Sequence, residues 1–265
     1  MTHAVVQRIK ADLRATRAPV AAAPARRPAG ARALSAQATR EAILRAAIAV
    51  FAEHGFSGGS VDKISTAAGS VDRMIYYYFG SKKGLFVAAL EEIYRRFNAA
   101  EATLQLDEDK PVESLRAVIG FALNYYRRHP EFINLLNSEN LHRGVHTAKS
   151  PRLREYSSPA IGVIDRLLRS GVAQGLFRAD VSARDLYLLI AAAGYFYQSN
   201  RYTLSAFLGE NLEAPASRAH WQGFVEAMVL RGIAVQSPLV ARVARDEVSG
   251  TQRREGREGR KEFKS

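Results

Sequence analysis

The chain has 265 residues, no cysteine and a formal net charge of +12 at neutral pH. The lack of cysteine excludes disulfide scaffolds and thiol chemistry, and no apolar run is long enough to span a membrane. The first twenty residues carry charges throughout and lack an apolar core, so they are not a secretory signal. We therefore expect a cytoplasmic protein with no membrane partner.

The positive charge lies mainly in the two tails. Residues 1–40 contain eight Lys or Arg and one acid, and residues 241–265 contain eight Lys or Arg and five acids. Basic arms favour a polyanion such as DNA in a salt-dependent way, although a solubilising role fits the same composition. The first arm is rich in Ala, Pro and Arg without a sustained period. We expect a disordered basic arm over residues 1–35 and a disordered basic tail over residues 239–265.

Between the tails, helical periods dominate and strand-like alternation is lacking, which predicts an all-α protein. The first helix is expected over about residues 39–54, with Thr39 as its N-cap and Gly55 as its stop. Ser60 is expected to cap a short second helix, which Gly69 ends before a third helix opens at once. Two short helices joined by a tight turn that contains glycine indicate a helix-turn-helix.

Longer helices are predicted in the rest of the chain. Gly80 is expected to end the third helix, and Ser81 to cap the fourth. Apolar residues at 3,4 spacing and prolines placed at helix starts predict further boundaries. The predicted helices run over about residues 82–104, 111–128, 130–141, 151–174, 182–207 and 216–235.

Four aromatic residues stand in a row from Tyr76 to Phe79. Consecutive residues on a helix point about 100° apart, so these four rings cannot all be buried on one face. Ile75 and Phe79 are four residues apart, and we expect them to be buried against the first and fourth helices. Exposed aromatic side chains usually have a binding partner. The outward face then holds Asp72, Arg73, Tyr76 and Tyr77.

Three motifs follow one another within residues 39–91: a helix ending in Phe-x-x-x-Gly-Phe, an Ala-Gly turn, and Ile-Tyr-x-x-Phe-x-Ser-Lys-x-x-Leu. Together they resemble the N-terminal domain of the TetR-like (tetracycline-repressor-like) transcription regulators. The resemblance implies a three-helix DNA-binding domain with a helix-turn-helix at residues 36–84. It also implies a helical domain at residues 85–238 that dimerises and encloses a pocket for a small-molecule effector.

A recognition helix in the major groove needs side chains that reach phosphates and base edges. A tyrosine can bond a phosphate through its hydroxyl and pack its ring on a thymine methyl. The start of the fourth helix, at Lys82, also attracts phosphate. From the resemblance and these properties we expect DNA contacts from Ser60, Val61, Asp62, Ser70, Val71, Asp72, Arg73, Tyr76, Tyr77, Tyr78 and Lys82.

Two positions depart from the family pattern. The family often has Ser or Asn where Val71 stands, so Ser70 becomes the expected cap of the third helix. The family often has Lys near the position of Asp72. The carboxylate of Asp72 either accepts a hydrogen bond from a cytosine amino group or only stabilises the helix N-terminus.

The segments at residues 129–146, 175–187 and 199–207 resemble a sub-branch of regulatory domains that includes regulators of aromatic or heteroaromatic catabolism. A pocket in such a bundle needs aromatic walls and a few polar groups. Arg143 or Arg201 could pair with a ligand carboxylate, although core packing of the aromatics and ordinary salt bridges of the arginines are alternatives. The candidate effector contacts are Ile93, Phe97, Phe121, Tyr125, Leu136, Asn140, Arg143, Phe196 and Asn200.

Other chemistries are disfavoured. Glu139, His142 and His146 share a helical face that could hold a metal, but Gly144 weakens the helix and no fourth ligand is evident. We therefore predict no metal and no other cofactor. The sequence has no nucleophile elbow, no phosphate-binding glycine loop and no catalytic dyad, so we expect no enzyme and name no catalytic residue.

The expected function is that of a homodimeric repressor that binds a palindromic operator in double-stranded DNA. We expect dimerisation through the last two helices. Release is expected on binding a small aromatic or heteroaromatic metabolite, with a carboxylate as one option. The alternatives are a ligand-independent or activating regulator of the same fold, and a non-specific architectural DNA-binding protein.

Overall fold

The computed structural model describes residues 29–156 and 158–235, and the regular structure in these ranges is helical. The all-α prediction is therefore confirmed. The extended pairing among the described residues is limited to an isolated bridge between Phe177 and Ala234. The helices there are α1 (Ala29–Gly58), α2 (Val61–Ala67), α3 (Asp72–Phe79), α4 (Lys82–Glu101), α5 (Pro111–Arg128), α6 (Pro130–Leu141), a 3₁₀ turn (Thr147–Lys149), α7 (Pro151–Tyr156), α8 (Ser158–Ala173), α9 (Ala183–Leu208) and α10 (Pro215–Ile233).

The start of α1 differs from the prediction. The helix begins at Ala29, so residues 29–35 are helical where the composition predicts a disordered arm. Thr39 lies inside the helix and its hydroxyl donates to the Ser35 carbonyl over 2.9 Å, so it is not the N-cap. Ala, Arg, Leu and Gln dominate this segment, and their high helix propensity extends the helix beyond its first apolar stripe. The remaining predicted arm and the tail lie outside the described residues.

Gly55 interrupts α1, as the sequence predicts, although one further helical turn follows to Gly58. Its φ of 67° and ψ of 177° belong to a region that glycine adopts readily. The break turns the backbone so that the Phe56 amide donates to the Ser138 hydroxyl of α6 over 2.8 Å. The end of α1 is thereby joined to the regulatory part of the chain.

Two of the later helices begin at prolines, as the sequence predicts. Pro111 and Pro130 each occupy the first turn of a helix, where a missing N–H group costs nothing. Residues 151–156 and 158–173 are helical, within the helix predicted over residues 151–174. α4 ends at Glu101, three residues before its predicted end. No helix of the described residues is long and apolar enough to cross a membrane.

Two clusters of buried apolar side chains hold these helices together. The first joins the helix-turn-helix to α4, α5 and α6, and the second lies among α5, α8, α9 and α10. Burying one large apolar side chain contributes roughly 1.5–3 kcal/mol. The fully buried members include Phe51, Ile64, Ile75, Phe86, Leu90 and Leu135 in the first cluster, and Leu115, Ile119 and Leu167 in the second.

Candidate nucleic-acid interface and ligand cavities

Hydrogen bonds at each boundary shape the helix-turn-helix formed by α2 and α3. Ser60 caps α2 as predicted, because its Oγ accepts from the Lys63 amide over 3.1 Å. The chain then turns at Gly69, whose φ of 58° lies in the left-handed region. The Ser70 amide donates back to the Ser65 carbonyl over 2.9 Å, which closes the turn.

The exposed face of α3 is the one that the sequence predicts. Ile75 is fully buried and Phe79 is partly buried against the same core. Tyr76 and Tyr77 are 53% and 76% exposed, which is unusual for large aromatic side chains. The exposed positions beside them are Val71, Asp72 and Arg73.

The start of α3 corrects one prediction and adds a contact that the sequence did not predict. Val71, not Ser70, holds the N-cap position, and no side chain caps the helix. Ser70 lies one residue before this position, in the turn that its amide closes. The Oδ1 atom of Asp72 accepts a hydrogen bond from the Ser65 hydroxyl of α2 over 2.5 Å. Asp72 therefore has a partner within the protein, which neither of its two predicted roles includes.

Tyr78 and Lys82 make contacts inside the domain. The Tyr78 ring is half-buried and packs edge-on against Tyr77, with ring centroids 5.0 Å apart. The Lys82 ammonium lies 4.7 Å from the centroid of the Phe56 ring and donates to the Ser57 carbonyl over 3.4 Å. Burial lowers the pKa of Lys82. One N–H of the ammonium bonds Ser57, so its other two donors remain for a phosphate.

The three predicted contacts at the start of α2 differ in accessibility. Asp62 is exposed, whereas Ser60 and Val61 are partly exposed. The Ser60 hydroxyl oxygen already accepts the capping hydrogen bond from the Lys63 amide. Its hydroxyl proton is therefore the group that Ser60 has left to offer a phosphate.

The predicted effector contacts do not converge on one cavity. Ile93, Phe97 and Tyr125 are buried, and Phe121 and Leu136 are partly buried against the same cluster. The Phe97 ring centroid lies 5.4 Å from that of Phe121 and 4.9 Å from that of Tyr125. These side chains mainly fill the core, which is the alternative that the sequence left open.

The polar members of the predicted set lie towards the surface. Asn140 is exposed and its amide donates to the Tyr195 hydroxyl over 3.3 Å. Arg143 is exposed and has a φ of 57° in the loop after α6. Phe196 is exposed, and the Asn200 amide donates to its carbonyl over 2.9 Å.

Arg201 is committed to the protein itself. Its guanidinium donates to Glu213 over 3.2 Å, to the Gln198 carbonyl over 2.6 Å and to the Tyr202 hydroxyl over 2.9 Å. Arg201 is 9% exposed. The salt-bridge alternative is therefore the one that the contacts support, within a single subunit.

A small central cavity of about 20 Å³ lies among α4, α5, α8 and α9. Of the predicted effector contacts, Phe97 lines it. Glu101 also lines it, and burial raises the pKa of this carboxyl to about 7. Sequence analysis missed Glu101 because a glutamate at a helix end usually faces solvent. The cavity lining is Phe97, Glu101, Val118, Ala122, Tyr126, Ile164, Tyr187, Ile190 and Ala191.

A second cavity, of about 40 Å³, lies among α5, α9 and α10. The Trp221 ring stacks on Tyr197 with centroids 5.2 Å apart, and its buried Nε1 is the one side-chain atom of the described residues found without a hydrogen-bond partner in a fully buried position. Arg127 and Arg218 reach this cavity. Their donors suit an acceptor-rich ligand.

The histidines after α6 have protein partners. The Glu139 carboxylate accepts from the His146 and Thr147 amides over 2.8 and 2.7 Å, and its Oε2 lies 2.7 Å from the His146 Nδ1. Burial alone would raise the pKa of Glu139, but the hydrogen bonds from Thr147 and His146 lower it. Across residues 29–156 and 158–235, no group of three or more His, Asp or Glu side chains is placed to hold a metal.

Comparison with known proteins gives two family matches. Residues 43–89 match the bacterial regulatory proteins of the tetR family. This range covers the second half of α1, all of α2 and α3, and the start of α4. Residues 111–229 match the tetracyclin repressor-like C-terminal domain, which begins at α5.

Individual relatives agree with these matches. The chain is 49% identical over 207 residues to the HTH-type transcriptional repressor NicS of Pseudomonas putida, covering 78% of this chain and 98% of that one. It is 31% identical over 164 residues to the HTH-type transcriptional repressor SCO4008 of Streptomyces coelicolor, covering 60% and 78%. A solved TetR transcriptional regulator from Chloroflexus aurantiacus shares the fold, with a TM-score of 0.55 at 22% identity over 76% and 99% of the chains. The chain therefore belongs to the TetR family of transcriptional regulators, which bind DNA through a helix-turn-helix, and it is not an enzyme.

Proposed function

We propose that this chain is a homodimeric repressor that binds a palindromic operator and releases it when a small aromatic or heteroaromatic effector binds. The observation that carries the proposal is the face of α3, where Arg73, Tyr76 and Tyr77 are exposed while Ile75 anchors the helix. The repressor NicS, similar over nearly its whole length, supports the sign of regulation. Such a regulator acts in the cytoplasm, beside its DNA.

The predicted DNA contacts divide into two groups under this proposal. Exposed side chains on α3 read base edges, with Arg73 suited to guanine and the tyrosine rings suited to thymine methyls. Val71 adds an exposed apolar side chain at the start of the helix. The contacts nearer α2 and the start of α4, including Lys82, hold phosphates and fix the register of the protein on the duplex.

Exposed apolar side chains support dimerisation through α9 and α10. Soluble monomers rarely expose clustered apolar surface of this kind. A two-fold axis between the subunits would place the two α3 helices about one DNA turn apart, ~34 Å, as a palindrome requires. The exposed apolar side chains on these two helices include Leu188, Leu189, Phe196, Phe224 and Met228.

α4 supports a mechanism for release. Its first residue, Lys82, contacts the end of α1, and its last turns carry Phe97 and Glu101 at the central cavity. A helix of 20 residues spans about 30 Å, so one rigid element joins both regions. An effector that favours a different position of α4 lowers operator affinity through this difference alone.

The proposal is tested with DNA selected from a random library by repeated rounds of binding to the full chain. We expect a palindromic site bound at least ~10³-fold more tightly than random DNA. Arg73→Ala should weaken this binding, whereas Arg231→Ala, an exposed arginine at the end of α10, should not. Equal affinity for selected and random DNA would instead indicate an architectural protein.

Sedimentation in the same buffer tests the assembly. We expect a dimer at micromolar concentration, and Leu189→Glu together with Phe224→Glu should produce monomers that bind one half-site weakly. A stable monomer for the unmodified chain would contradict the proposal.

A further inference from the structure

One hydrogen-bond donor in the wall of the cavity among α5, α9 and α10 has no acceptor in the described part of the protein. This donor is the Nε1–H group of Trp221, which is buried. Buried polar groups nearly always have a partner. Because Trp221 lines the cavity, a molecule inside the cavity is the natural source of the missing acceptor.

The indole ring of Trp221 already has two aromatic partners. It stacks on Tyr197, with ring centroids 5.2 Å apart and an interplanar angle of 18°, and the Phe224 ring lies at 5.8 Å with an angle of 26°. The Tyr197 hydroxyl is held in turn by the Leu212 carbonyl, to which it donates over 2.7 Å. The group that the indole has left to offer a ligand is therefore its N–H edge, not a free face for stacking.

Two arginines give the cavity a positive charge. Arg127 of α5 and Arg218 of α10 both line it. Arg127 donates to the Asn124 amide oxygen over 3.2 Å and forms no ion pair with a carboxylate of the described residues. Arg218 lies 3.6 Å from Glu213, but this carboxylate also accepts from Arg201 over 3.2 Å. The two cavity arginines are therefore only partly compensated, and a guanidinium has five N–H donors to share.

The other polar groups of the wall do not favour a cation. None of the described residues that line the cavity is Asp or Glu. The Asn124 amide oxygen accepts from Arg127, and the Gln222 amide oxygen lies 3.4 Å from the amide nitrogen of Asn124, which donates to it. Donors without a carboxylate partner dominate the wall, so the cavity selects an anion.

The size of the cavity limits this anion. Its volume of about 40 Å³ has room for roughly three water molecules, since each needs about 10–15 Å³. A carboxylate group, with one carbon and two oxygens, fills a similar space. Phosphate and sulfate carry four oxygens around a larger central atom, and they would have to push the helices apart.

We infer that this cavity binds the carboxylate group of a small organic acid. The carboxylate accepts from the Trp221 N–H group and from the guanidinium groups of Arg127 and Arg218, and so joins α5 to α10. The site shares no lining residue with the central cavity, and none of its lining residues lies on α4 or in the helix-turn-helix. It is therefore independent of the repressor function proposed above.

Trp221 is the single tryptophan of the chain, so a proton–nitrogen NMR spectrum of the full, nitrogen-labelled chain contains one indole N–H signal. The probe is acetate, added at constant ionic strength against chloride so that general screening does not change. We expect acetate to move the indole proton downfield and to saturate, because a charge-assisted hydrogen bond forms. Acetamide has a similar size and no charge, and should bind about tenfold or more weakly.

Variants assign the donors. Arg127→Gln should weaken acetate about tenfold or more, as for the loss of one hydrogen bond to a charged group. Arg128→Gln is the matched control, because Arg128 is the exposed neighbour on α5 and does not line the cavity. Its acetate affinity should not change. Trp221→Phe keeps an aromatic ring without the N–H group and should weaken acetate by a similar factor, measured by calorimetry.

The thermal midpoint of each variant without acetate shows whether it is folded. Four results would overturn the inference: an indole signal that acetate does not move, equal affinity for acetate and acetamide, tighter binding of phosphate than of acetate, or unchanged acetate affinity in folded Arg127→Gln. The first of these would mean that water alone meets the Trp221 N–H group. Loss of specific operator binding is a separate result, which would contradict the repressor function and leave this site unaffected.

Discussion

The hydroxyl of Ser65 on α2 donates to the Oδ1 atom of Asp72 on α3 over 2.5 Å. Ser65 is buried, and the bond crosses the turn at Gly69 that separates the two helices. It therefore helps to set the angle at which α3 presents its exposed face. Asp72, which departs from the family pattern, therefore has a structural contact within the DNA-binding domain.

We predict that Asp72→Ala and Ser65→Ala each lower the free energy of unfolding by roughly 1–2 kcal/mol. Each variant removes one partner of a partly buried hydrogen bond to a carboxylate and leaves the other partner without it. Urea unfolding measures the change. The double variant should cost little more than either single one, because both remove the same bond. Fully additive losses would show that the two side chains act independently.

Tyr77 separates DNA binding from stability. Because its side chain is 76% exposed, we predict that Tyr77→Ala changes the thermal midpoint little and weakens operator binding about tenfold or more. Fluorescence anisotropy with labelled operator measures the affinity. Leu141→Ala, which truncates another highly exposed side chain at the end of α6, serves as the matched control and should leave the affinity unchanged.

Gly171 in α8 has no room for a side chain. A Cβ atom there would lie 2.0 Å from the ring of Phe177, which is buried. We predict that Gly171→Ala destabilises the protein by roughly 1–3 kcal/mol or more, the usual cost of overpacking. Gly162→Ala in the same helix meets only the far end of Arg166 at 3.9 Å. It should instead stabilise by up to about 1 kcal/mol, from helix propensity, and thermal unfolding of both variants distinguishes the two cases.

Glu101 makes stability depend on pH. Burial raises its pKa from the ordinary 4.5 to about 7, so the folded state holds this proton over a range in which the unfolded state has lost it. Its contribution to the free energy of unfolding therefore falls as pH rises from about 4.5 to about 7 and is constant on either side. Tyr126 and Tyr187, which face it, do not titrate there because burial raises their pKa values.

Glu101→Gln should remove this pH dependence. Its thermal midpoint should match that of the unmodified chain below about pH 4.5 and exceed it increasingly up to about pH 7. Glu155→Gln, at an exposed glutamate on α7, is the control. Parallel curves for Glu101→Gln and the unmodified chain would mean that Glu101 titrates normally.

Local sequence signals predicted the DNA-binding domain well. Ser60 caps α2, Gly69 turns the chain, and the spacing of Ile75 and Phe79 orients α3. Each of these signals acts within a few residues, so a single sequence contains it. The predicted cap of α3 was wrong because Ser70 lies one residue before the N-cap position, in the turn that its own amide closes. No short sequence pattern reveals this shift.

The central cavity could not be predicted in the same way. Phe97 was found from its helical face, but Glu101, Tyr126 and Tyr187 come from three helices that are far apart in the chain. Asn140, Arg143, Phe196 and Asn200 look equally suitable in sequence, yet they lie nearer the surface. A polar residue's role depends on what the other helices place opposite it.

The sequence by itself determined the helical class, the helix-turn-helix and the outward face of α3, because helix periodicity, caps and glycine turns are local properties of the backbone. Only the tertiary structure decided that Asp72 bonds Ser65, that the Lys82 ammonium lies over the Phe56 ring, and that Glu101 lines a cavity between helices. These contacts join residues from separate helices. Their existence depends on how the helices pack, which the pattern along any one helix does not specify.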